Sequence, residues 1–333
     1  GLWFRALWVR SPSPTPFFSM STSDKYFLGI DIGASSVKYG WGNSKVGLQY
    51  FNKKELSTKT LPFLKNIISE ILNFASDNPI WQKIKSIGIG TPGTIDQNIH
   101  QIVGVNPNLP FLVNLNIENL IPENIKIPVY WDNDANLMCF AEAWLRDFKC
   151  DIVGITIGSG IGCGFVQKDR IFHGSHGYAM ELGHICIIPG GELCSCGRKG
   201  CVEAYSSVDG LKRRISLLDI PFSKTESSLN VKDLLYLTAI DSKAKQILEE
   251  GLYILAQGIT NLSVLLDPEI IVIGGGAMEG SLYDWKKLQK QIIDFMPAIN
   301  AEHTRIEKAL AGNKAGVLGA IILAESVNKF VSE

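Results

Sequence analysis

The chain has 333 residues, of which 46% are hydrophobic and 20% charged, as in an ordinary globular protein. Its 32 basic and 33 acidic residues give a formal net charge of -1, so charge gives no reason to expect nucleic acid or an anionic membrane surface as a partner. No apolar run reaches the ~18 residues of a membrane-spanning helix, and we expect a cytosolic protein. The length suits two lobes with separate cores.

Residues 1–23 differ in composition from the rest of the chain. They contain Arg5, Arg10, several Ser and Pro residues and no acidic residue, and Met20 stands just before the first organised segment. This composition is typical of a translated leader or expression remnant, with Met20 as the natural start, or of a transit peptide. We favour the first interpretation, expect the segment to be disordered and exclude it from the fold.

The first organised segment reads YFLGIDIGASSVKYGWGN and then KVGLQYFNKKEL. Short β-rich runs broken by Gly and Asn-Ser are typical of consecutive hairpin strands. Apolar residues at helix spacing predict a helix over 61–75, and SIGIG at 86–90 predicts a buried strand that ends in the turn 91–93. The next predicted elements are a strand over 129–131 and a helix over 135–145.

The pattern then restarts in the second half of the chain. Gly154-Ile-Thr-Ile-Gly158-Ser-Gly repeats Gly29-Ile-Asp-Ile-Gly33-Ala-Ser, and each copy is followed by a second strand. Because one copy stands in each half, we expect a duplicated lobe with a cleft between the copies. The remaining predicted elements are a helix over 244–266, a strand over 270–273 and an Ala-rich helix over 315–327.

Alternating strands and helices predict an α/β fold with two lobes. We place a small N-terminal lobe at residues 24–133 and a large C-terminal lobe at residues 134–314. The last helix, at 315–328, is expected to return to the first lobe and complete it.

Two glycine-containing turns are candidates for phosphate binding. In the first, Asp31-Ile-Gly33-Ala-Ser35-Ser36-Val-Lys38, Gly33 lets the backbone approach a ligand and Ser35 and the turn amides can donate to phosphate oxygens. Asp31 is suited to hold Mg²⁺ through water. Taken alone, this segment fits a plain hairpin turn with a capping Asp better than it fits a phosphate site.

The second candidate is Gly158-Ser159-Gly160, which opens the run GSGIGCG. It is neither a Walker loop nor a dinucleotide fingerprint, because the lysine of the one and the third glycine and following helix of the other are missing. Farther along, Gly274-Gly275-Gly276 follows a strand and would let the backbone lie against an adenine or ribose. A strand-to-helix turn explains these three glycines equally well.

Asn133 and Asp134 follow one predicted strand and open the next predicted helix. Asn and Asp are preferred helix N-caps, which is the simple interpretation. In the same position, however, a carboxylate at a strand-to-helix switch point can accept a proton from a bound hydroxyl. Both interpretations stay open at this point.

Four residues have the composition and spacing of a metal site: His184, Cys194, Cys196 and Cys201. Three thiolates and one imidazole are a common ligand set of a closed structural zinc site. In a reducing cytosol such a cluster is more often a metal site than a pair of disulfides, although disulfides or an inert cluster stay open. Nearby glycines, including Gly197 and Gly200, would supply the tight turns. We interpret Cys186, in an apolar run, as a core residue.

Together these segments resemble the ROK family of sugar kinases and regulators, within the actin-like ATPase superfold. The resemblance covers nearly all of residues 26–328. DIGASSVK is similar to the family's first phosphate motif, TIGSGIGCG to its second and WDNDAN to its catalytic segment. ELGHICIIPGGELCSCGRKGCVEAY is similar to the family's sugar-and-zinc signature, with its ligand spacing intact.

The resemblance implies roles for individual residues. Asp134 would be the general base, and His184 would place one ring nitrogen on zinc and the other on the sugar. ATP and Mg²⁺ would bind between the lobes, with phosphates held by residues 33–36 and 158–160 and adenine near 274–276. The sugar ligands that the resemblance implies are Gly93, Asn108, Asn133, Asp134, Glu181, His184 and Glu203.

Two departures from the family pattern concern these motifs. The first phosphate motif usually reads Gly-Gly-Thr, whereas this chain has Gly33-Ala34-Ser35, which keeps the hydroxyl. Met180 stands where the family often has Gly before Glu-x-Gly-His, and a side chain there would reshape the wall of the sugar pocket.

The function that the resemblance implies is phosphorylation of the 6-hydroxyl of a hexose by ATP, in a homodimeric kinase. We favour glucose as the acceptor, followed by N-acetylmannosamine or N-acetylglucosamine. A sugar-responsive regulator is the first alternative, although no helix-turn-helix pattern or basic stripe precedes the first strand. The second is an actin-like binding protein without a sugar acceptor, which Glu181, His184 and Glu203 argue against.

Overall fold

A computed structural model describes residues 25–332, except residues 97, 105, 107 and 223, with side chains up to residue 327. The leader predicted at residues 1–23 lies outside the described residues. The described chain forms two compact units. The first contains residues 25–149, Val166–Ala179 and 313–332, and the second contains Cys150–Phe165 and Met180–Gly312.

The strands and helices closely follow the predicted order. The strands are β1 (Tyr26–Ile32), β2 (Ser36–Asn43), β3 (Gly47–Glu55), β4 (Ile84–Thr91), β5 (Thr94–Asp96), β6 (Gln101–Val103), β7 (Val129–Asn133), β8 (Ile152–Ile157), β9 (Ile161–Gln167), β10 (Arg170–Ile171), β11 (Ile270–Gly274) and β12 (Arg305–Lys308). The α-helices are α1 (Leu61–Ser76), α2 (Asp134–Leu145), α3 (Val202–Ser206), α4 (Val208–Ser216), α5 (Val231–Ile240), α6 (Ser242–Leu266), α7 (Gly276–Glu279), α8 (Trp285–Phe295), α9 (Ala298–His303) and α10 (Ala315–Ser332).

The first unit is built on a mixed sheet in the order β3-β2-β1-β4-β7. β1, β2 and β3 pair in antiparallel fashion, as the hairpin pattern predicts, and β4 and β7 continue the sheet in parallel. The catalytic segment predicted from WDNDAN therefore begins at the end of a parallel strand, where β7 leads directly into α2. Ligands of open α/β sheets bind at such strand ends.

The second unit repeats this arrangement. Its sheet contains β9, β8, β11 and β12 in the order that matches β2, β1, β4 and β7 of the first unit. β9 runs on past Phe165 to form a short hairpin with β10, in which Ile171 pairs with Val166. The predicted duplication of an α/β lobe is confirmed by this shared strand order.

Glycines allow α10 to lie directly on the first sheet. A Cβ atom at Gly88 of β4 would stand 1.9 Å from the carbonyl oxygen of Ala320, and one at Gly29 of β1 would stand 2.4 Å from that of Val317. The predicted return of the last helix to the first lobe is thus explained by backbone-to-backbone contact. None of the helices in the described part of the chain is long and apolar enough to cross a membrane.

Candidate active site and metal centre

The predicted zinc ligands converge in the second unit. One ligand atom from each of His184, Cys194, Cys196 and Cys201 lies within 4.8 Å of the others. The Sγ atoms of Cys196 and Cys201 are 3.8 Å apart, and Nδ1 of His184 is 3.6 Å from Sγ of Cys194. A disulfide requires an S–S distance of about 2.05 Å, and the three cysteines of the set are free thiols.

These separations fit a tetrahedral zinc ion. With Zn–S bonds of about 2.3 Å and Zn–N bonds of about 2.0–2.1 Å, tetrahedral angles place two sulfurs about 3.8 Å apart and sulfur and nitrogen about 3.6 Å apart. Although burial raises the pKa of Cys194, its hydrogen bond with His184 brings the value down to about 7. The donor set therefore suits zinc, which binds thiolates and neutral imidazole.

We call residues 184–201 the Cys₃His loop. Gly197 and Gly200 have φ angles of 84° and 83°, which glycine adopts without strain and which turn the chain back between the cysteines. Cys186 stays outside the ligand set, but the prediction that it is a core residue is wrong. Its side chain is partly exposed, and its thiol donates to the carbonyl of Lys199.

Glu203 links the Cys₃His loop to the second phosphate-loop candidate. Its Oε1 accepts a hydrogen bond of 2.8 Å from the hydroxyl of Ser195, and its Oε2 accepts one of 3.0 Å from the amide of Ile161. A Cβ atom at Gly160 would stand 2.6 Å from this Oε2. Gly160 thus makes room for the carboxylate, a contact that the sequence pattern did not reveal.

The residue at which the chain departs from the family pattern before the Cys₃His loop has a backbone conformation that favours glycine. Met180 has a φ of 67°, in the left-handed region that favours glycine. Holding a side chain there costs about 1–3 kcal/mol, so the glycine expected at this position would relieve backbone strain. Glu181 follows directly, and its side chain is exposed in the second unit.

The predicted nucleotide-binding glycines of the second unit lie at strand ends. The carbonyl groups of Gly158 and Ser159 accept hydrogen bonds from the amides of Val208 and Asp209 at the start of α4. Gly275 has a φ of 95°, and a Cβ atom there would stand 2.5 Å from the carbonyl oxygen of Ile157. Gly274 ends β11 and Gly276 opens α7, so the three glycines do form the strand-to-helix turn considered above.

In the first unit, the turn between β1 and β2 is closed by a hydrogen bond from the amide of Gly33 to the carbonyl of Ser36. Ser35 is exposed and Ser36 partly exposed. Asp31, at the end of β1, is buried, with Lys38 Nζ at 3.4 Å from its Oδ2. Burial raises the pKa of Asp31, and Lys38 opposes that rise.

Asp134 lies beside Asp31 in the first unit. Burial, followed by the charge of Asp31, raises the pKa of Asp134 to about 7. Both residues adjoin Gly90, where a Cβ atom would stand 3.7 Å from Asp31 Oδ1 and 3.9 Å from Asp134 Cα. Asp31 is buried and Asp134 is partly buried, and two such neighbouring carboxylates offer the oxygen ligands that a divalent cation such as Mg²⁺ prefers.

A small residue is also required on the other side of Asp31. A Cβ atom at Gly316, in the first turn of α10, would stand 2.5 Å from Asp31 Cγ. The chain therefore brings the end of β1, the start of α2 and the start of α10 together around this carboxylate.

We call residues 132–136 the Asp134 turn. Asn133 is the N-cap of α2, because its Oδ1 accepts from the amides of Ala135 and Asn136, and its Nδ2 donates to the carbonyl of Gly93 at 3.0 Å. The interpretation of Asn133 as a helix cap is thus confirmed, and it also joins the turn to Gly93. Asn108, the other predicted sugar ligand of this unit, is partly buried.

Sequence reasoning missed two residues beside these turns. Asn106 is buried and donates from Nδ2 to the carbonyl of Pro92, next to Gly93. His173 contacts the buried carboxylate of Asp132, with Nε2 and Oδ2 2.7 Å apart. The hydrogen bond to Asp132 raises the pKa of His173. Neither residue belongs to a spacing pattern that marks a site.

Comparison with known proteins places the chain among sugar kinases and related regulators. The sequence model described as the ROK family matches residues 27–327. The chain is 30% identical to a glucokinase of Halalkalibacterium halodurans, with 89% of this chain and 94% of the relative covered. It is 27% identical to a xylose repressor of Caldicellulosiruptor bescii (90% and 78% covered) and 26% identical to an N-acetyl-D-glucosamine kinase of Vibrio atlanticus (89% and 99% covered).

Solved structures agree in fold. A ROK hexokinase from Thermus thermophilus superposes with a TM-score of 0.73 at 24% identity and covers 92% of this chain and 99% of its own. A ROK family glucokinase from Streptomyces griseus, in complex with glucose and AMPPNP, gives 0.71 at 23% identity, with 90% and 99% covered. The predicted actin-like ATPase fold is confirmed by this similarity.

Proposed function

This chain belongs to the ROK family, and on that premise we propose that it is a kinase that transfers the γ-phosphate of ATP to the 6-hydroxyl of a hexose, with glucose as the favoured acceptor. The observation that carries this proposal is the environment of Asp134. A carboxylate with a pKa of about 7, at the end of a parallel strand, can exchange a proton with a hydroxyl at neutral pH. The cap position of this helix is already filled by Asn133, so capping does not account for Asp134.

In the proposed reaction, Asp134 accepts the proton of the sugar hydroxyl as the hydroxyl oxygen attacks the γ-phosphorus in line, and the bond from that phosphorus to the bridging oxygen breaks to release ADP. Base catalysis of this kind contributes about 10²–10⁴-fold, and positioning of the two substrates contributes much of the rest. Lys38 and residues 33–36 and 158–160 are proposed to bind the phosphates. Asp31 is proposed to hold Mg²⁺ through water, which would offset negative charge on the phosphates.

Sugar recognition is proposed to use the residues that resemble the family's sugar ligands. Gly93, Asn108 and Asn133 are the candidates in the first unit, and Glu181, His184 and Glu203 are those in the second. The Nδ1 side of His184 faces the cysteines, which leaves Nε2 available for a sugar hydroxyl. Since both oxygens of Glu203 already accept a hydrogen bond, a sugar hydroxyl would use their remaining lone pairs.

Zinc, bound by the four ligands of the Cys₃His loop, would supply structure rather than chemistry, because a closed Cys₃His set leaves no coordination position for a substrate. Its proposed task is to fix the backbone from His184 to Cys201 and thereby the positions of His184 and Glu203.

A second acceptor class, an N-acetylhexosamine, is favoured by the similarity to the N-acetyl-D-glucosamine kinase of Vibrio atlanticus. Met180 has a strained backbone and directly precedes the proposed sugar ligand Glu181. Its side chain fills space that a glycine at this position would leave open, so the wall of the sugar pocket would have a different shape. A regulatory role is the alternative of a different class, as in the xylose repressor. The raised pKa of Asp134 supports catalysis over that role.

The proposal is tested by ADP release from ATP·Mg²⁺ in the presence of glucose, mannose, fructose, N-acetylglucosamine or N-acetylmannosamine. We expect a rate that depends on a hexose, greatest with glucose, and a product whose phosphorus NMR signal is coupled to the protons on carbon 6. Preference for an acetamido sugar would select the second acceptor class. The same slow ADP release with every sugar would contradict the kinase proposal.

A further inference from the structure

We propose that His173 is a positioning residue for the reaction, because it holds the buried Asp132, whose carboxylate binds residues on both sides of Asp134. This inference rests on the proposed function of Asp134 as the base. It concerns residues of the first unit alone, since the segment Val166–Ala179 belongs to that unit.

The contact between the two side chains is short and largely shielded from water. Nε2 of His173 lies 2.7 Å from Oδ2 of Asp132, and the side chains are 32% and 4% exposed. A carboxylate this deeply buried requires donors for both of its oxygens. Oδ2 receives its hydrogen bond from His173, which stands 41 residues away in the sequence.

The other carboxylate oxygen of Asp132 accepts hydrogen bonds from two further residues of the Asp134 turn. Oδ1 accepts from the amide of Asn133 at 2.7 Å and from Nδ2 of Asn136 at 2.9 Å. Asp132 therefore fixes the residue just before Asp134 and the residue two positions after it. Since Asn133 caps the same helix, one carboxylate holds the backbone amide just before Asp134 and a side chain of the first helical turn after it.

Loss of the imidazole would leave Oδ2 of Asp132 buried without a donor. The side chain would then rotate toward water or bind a proton, and either change loosens its two bonds to the turn. A displacement of about 1 Å at a catalytic group is enough to cost on the order of 10²-fold in rate. The role of His173 requires no change of charge, because the neutral ring with its proton on Nε2 donates as the cation does.

The same segment offers a matched control. Tyr178 donates a 2.7 Å hydrogen bond to Oδ2 of Asp96, a partly exposed residue of the first unit. Tyr178→Phe thus removes one bond between this segment and a carboxylate, but leaves Asp132 and the Asp134 turn untouched. Comparison of the two sites separates an effect on the turn from a general loosening of residues 172–179.

The experiment measures kcat and KM for sugar and ATP in the full-length wild type and in His173→Ala, His173→Gln and Tyr178→Phe, with thermal melting of each. We expect kcat of the Ala variant to fall on the order of 10- to 100-fold, with both KM values nearly unchanged. The Gln variant, whose amide can donate from a similar position, should recover part of the loss. The Phe variant should keep the wild-type kcat.

Three results would overturn the inference: a folded Ala variant with wild-type kcat, a change in KM alone, or equal losses in the Ala and Gln variants. If the Ala variant does not fold, the inference is tested by the Gln variant and by a ring-nitrogen NMR titration of His173 in the wild type. We expect the proton on Nε2 at high pH, and a proton on Nδ1 would contradict the bond. Absence of sugar-dependent turnover in the wild type would instead refute the proposed function.

Discussion

The Cys₃His loop and the Asp134 turn show two different ways in which a sequence encodes a site. In the Cys₃His loop the ligands are close in sequence, and their residue types alone indicate a metal. In the Asp134 turn, Asn133 and Asp134 look like any helix start; Asn230 caps α5 and Asp241 caps α6 in the same manner. What distinguishes Asp134 is its partly buried place beside Asp31, where desolvation and the charge of Asp31 raise its pKa. A ligand set can thus be recognised locally, whereas a base is made by its surroundings.

The largest effect is expected from loss of a ligand in the Cys₃His loop. Purified wild-type protein should contain about one zinc per chain, and Cys201→Ser should lose it and melt on the order of 10 °C lower. Cys186→Ser is the control, since Cys186 neighbours the set without joining it. The measurements are metal content by mass spectrometry and thermal melting. A metal-free wild type that is folded and active would refute the zinc assignment.

The Asp134 turn is tested by the pH dependence of the rate. Because its pKa is raised to about 7, the carboxylate is increasingly protonated below that pH and cannot accept the hydroxyl proton. We expect kcat/KM for the sugar to rise with pH and to level off above about pH 7, with a tenfold loss for each unit below. If kcat/KM instead falls only near pH 4, where an ordinary aspartate titrates, then burial and Asp31 do not raise the pKa of Asp134 as inferred.

The same pKa predicts an effect on stability that a simple helix cap would not have. The folded state keeps the Asp134 proton up to about pH 7, whereas an unfolded chain releases it near 3.8. The ionised carboxylate therefore lowers the free energy of unfolding above pH 7, and this penalty disappears as the pH falls toward 4. Asp134→Asn, without ligands, should melt higher than the wild type at pH 8 and equally at pH 4. Equal melting at both pH values would contradict the raised pKa.

The smallest effect is expected where the Cys₃His loop meets a proposed sugar ligand. Ser195→Ala removes the 2.8 Å hydrogen bond to Glu203 Oε1, a loss of about 1 kcal/mol. We expect zinc content to stay at the wild-type level and KM for the sugar to rise about fivefold, because Glu203 is less well oriented. The test is metal analysis beside steady-state kinetics. Loss of zinc in this variant would show that the hydroxyl supports the metal set instead.

The difference between the two regions also shows which features of the fold and of the site could be predicted from the sequence. The repeated strand pattern gave the duplicated lobe, and residue spacing gave all four candidate metal ligands. His173 could not be found in this way, because a single histidine carries no pattern and its partner Asp132 is 41 residues distant. For Met180, the departure from the family pattern was visible, but its positive φ appears only in the fold.

The other features that the sequence did not predict depend on which side chains are buried in the fold. Cys186 lies in an apolar run and was predicted to be a core residue, yet it is partly exposed, because the turns of the Cys₃His loop decide which face of the run meets the core. Likewise, the nearness of Asp31 to Asp134 depends on Gly90 and Gly316, which leave space around the carboxylates. Such effects arise from packing between distant segments and have no local signature.

The most direct test of the account is the turnover of Asp134→Asn beside Asp284→Asn. Asp284 caps α8 through a 2.8 Å bond from the amide of Lys287, so the second variant reproduces the same substitution at an ordinary helix start. We expect Asp134→Asn to lose on the order of 10²-fold or more in kcat while calorimetry shows that sugar and ATP still bind, and Asp284→Asn to keep the wild-type rate. Near-wild-type turnover by Asp134→Asn would mean that Asp134 serves only as the first residue of its helix, after the cap Asn133, and that the base lies elsewhere.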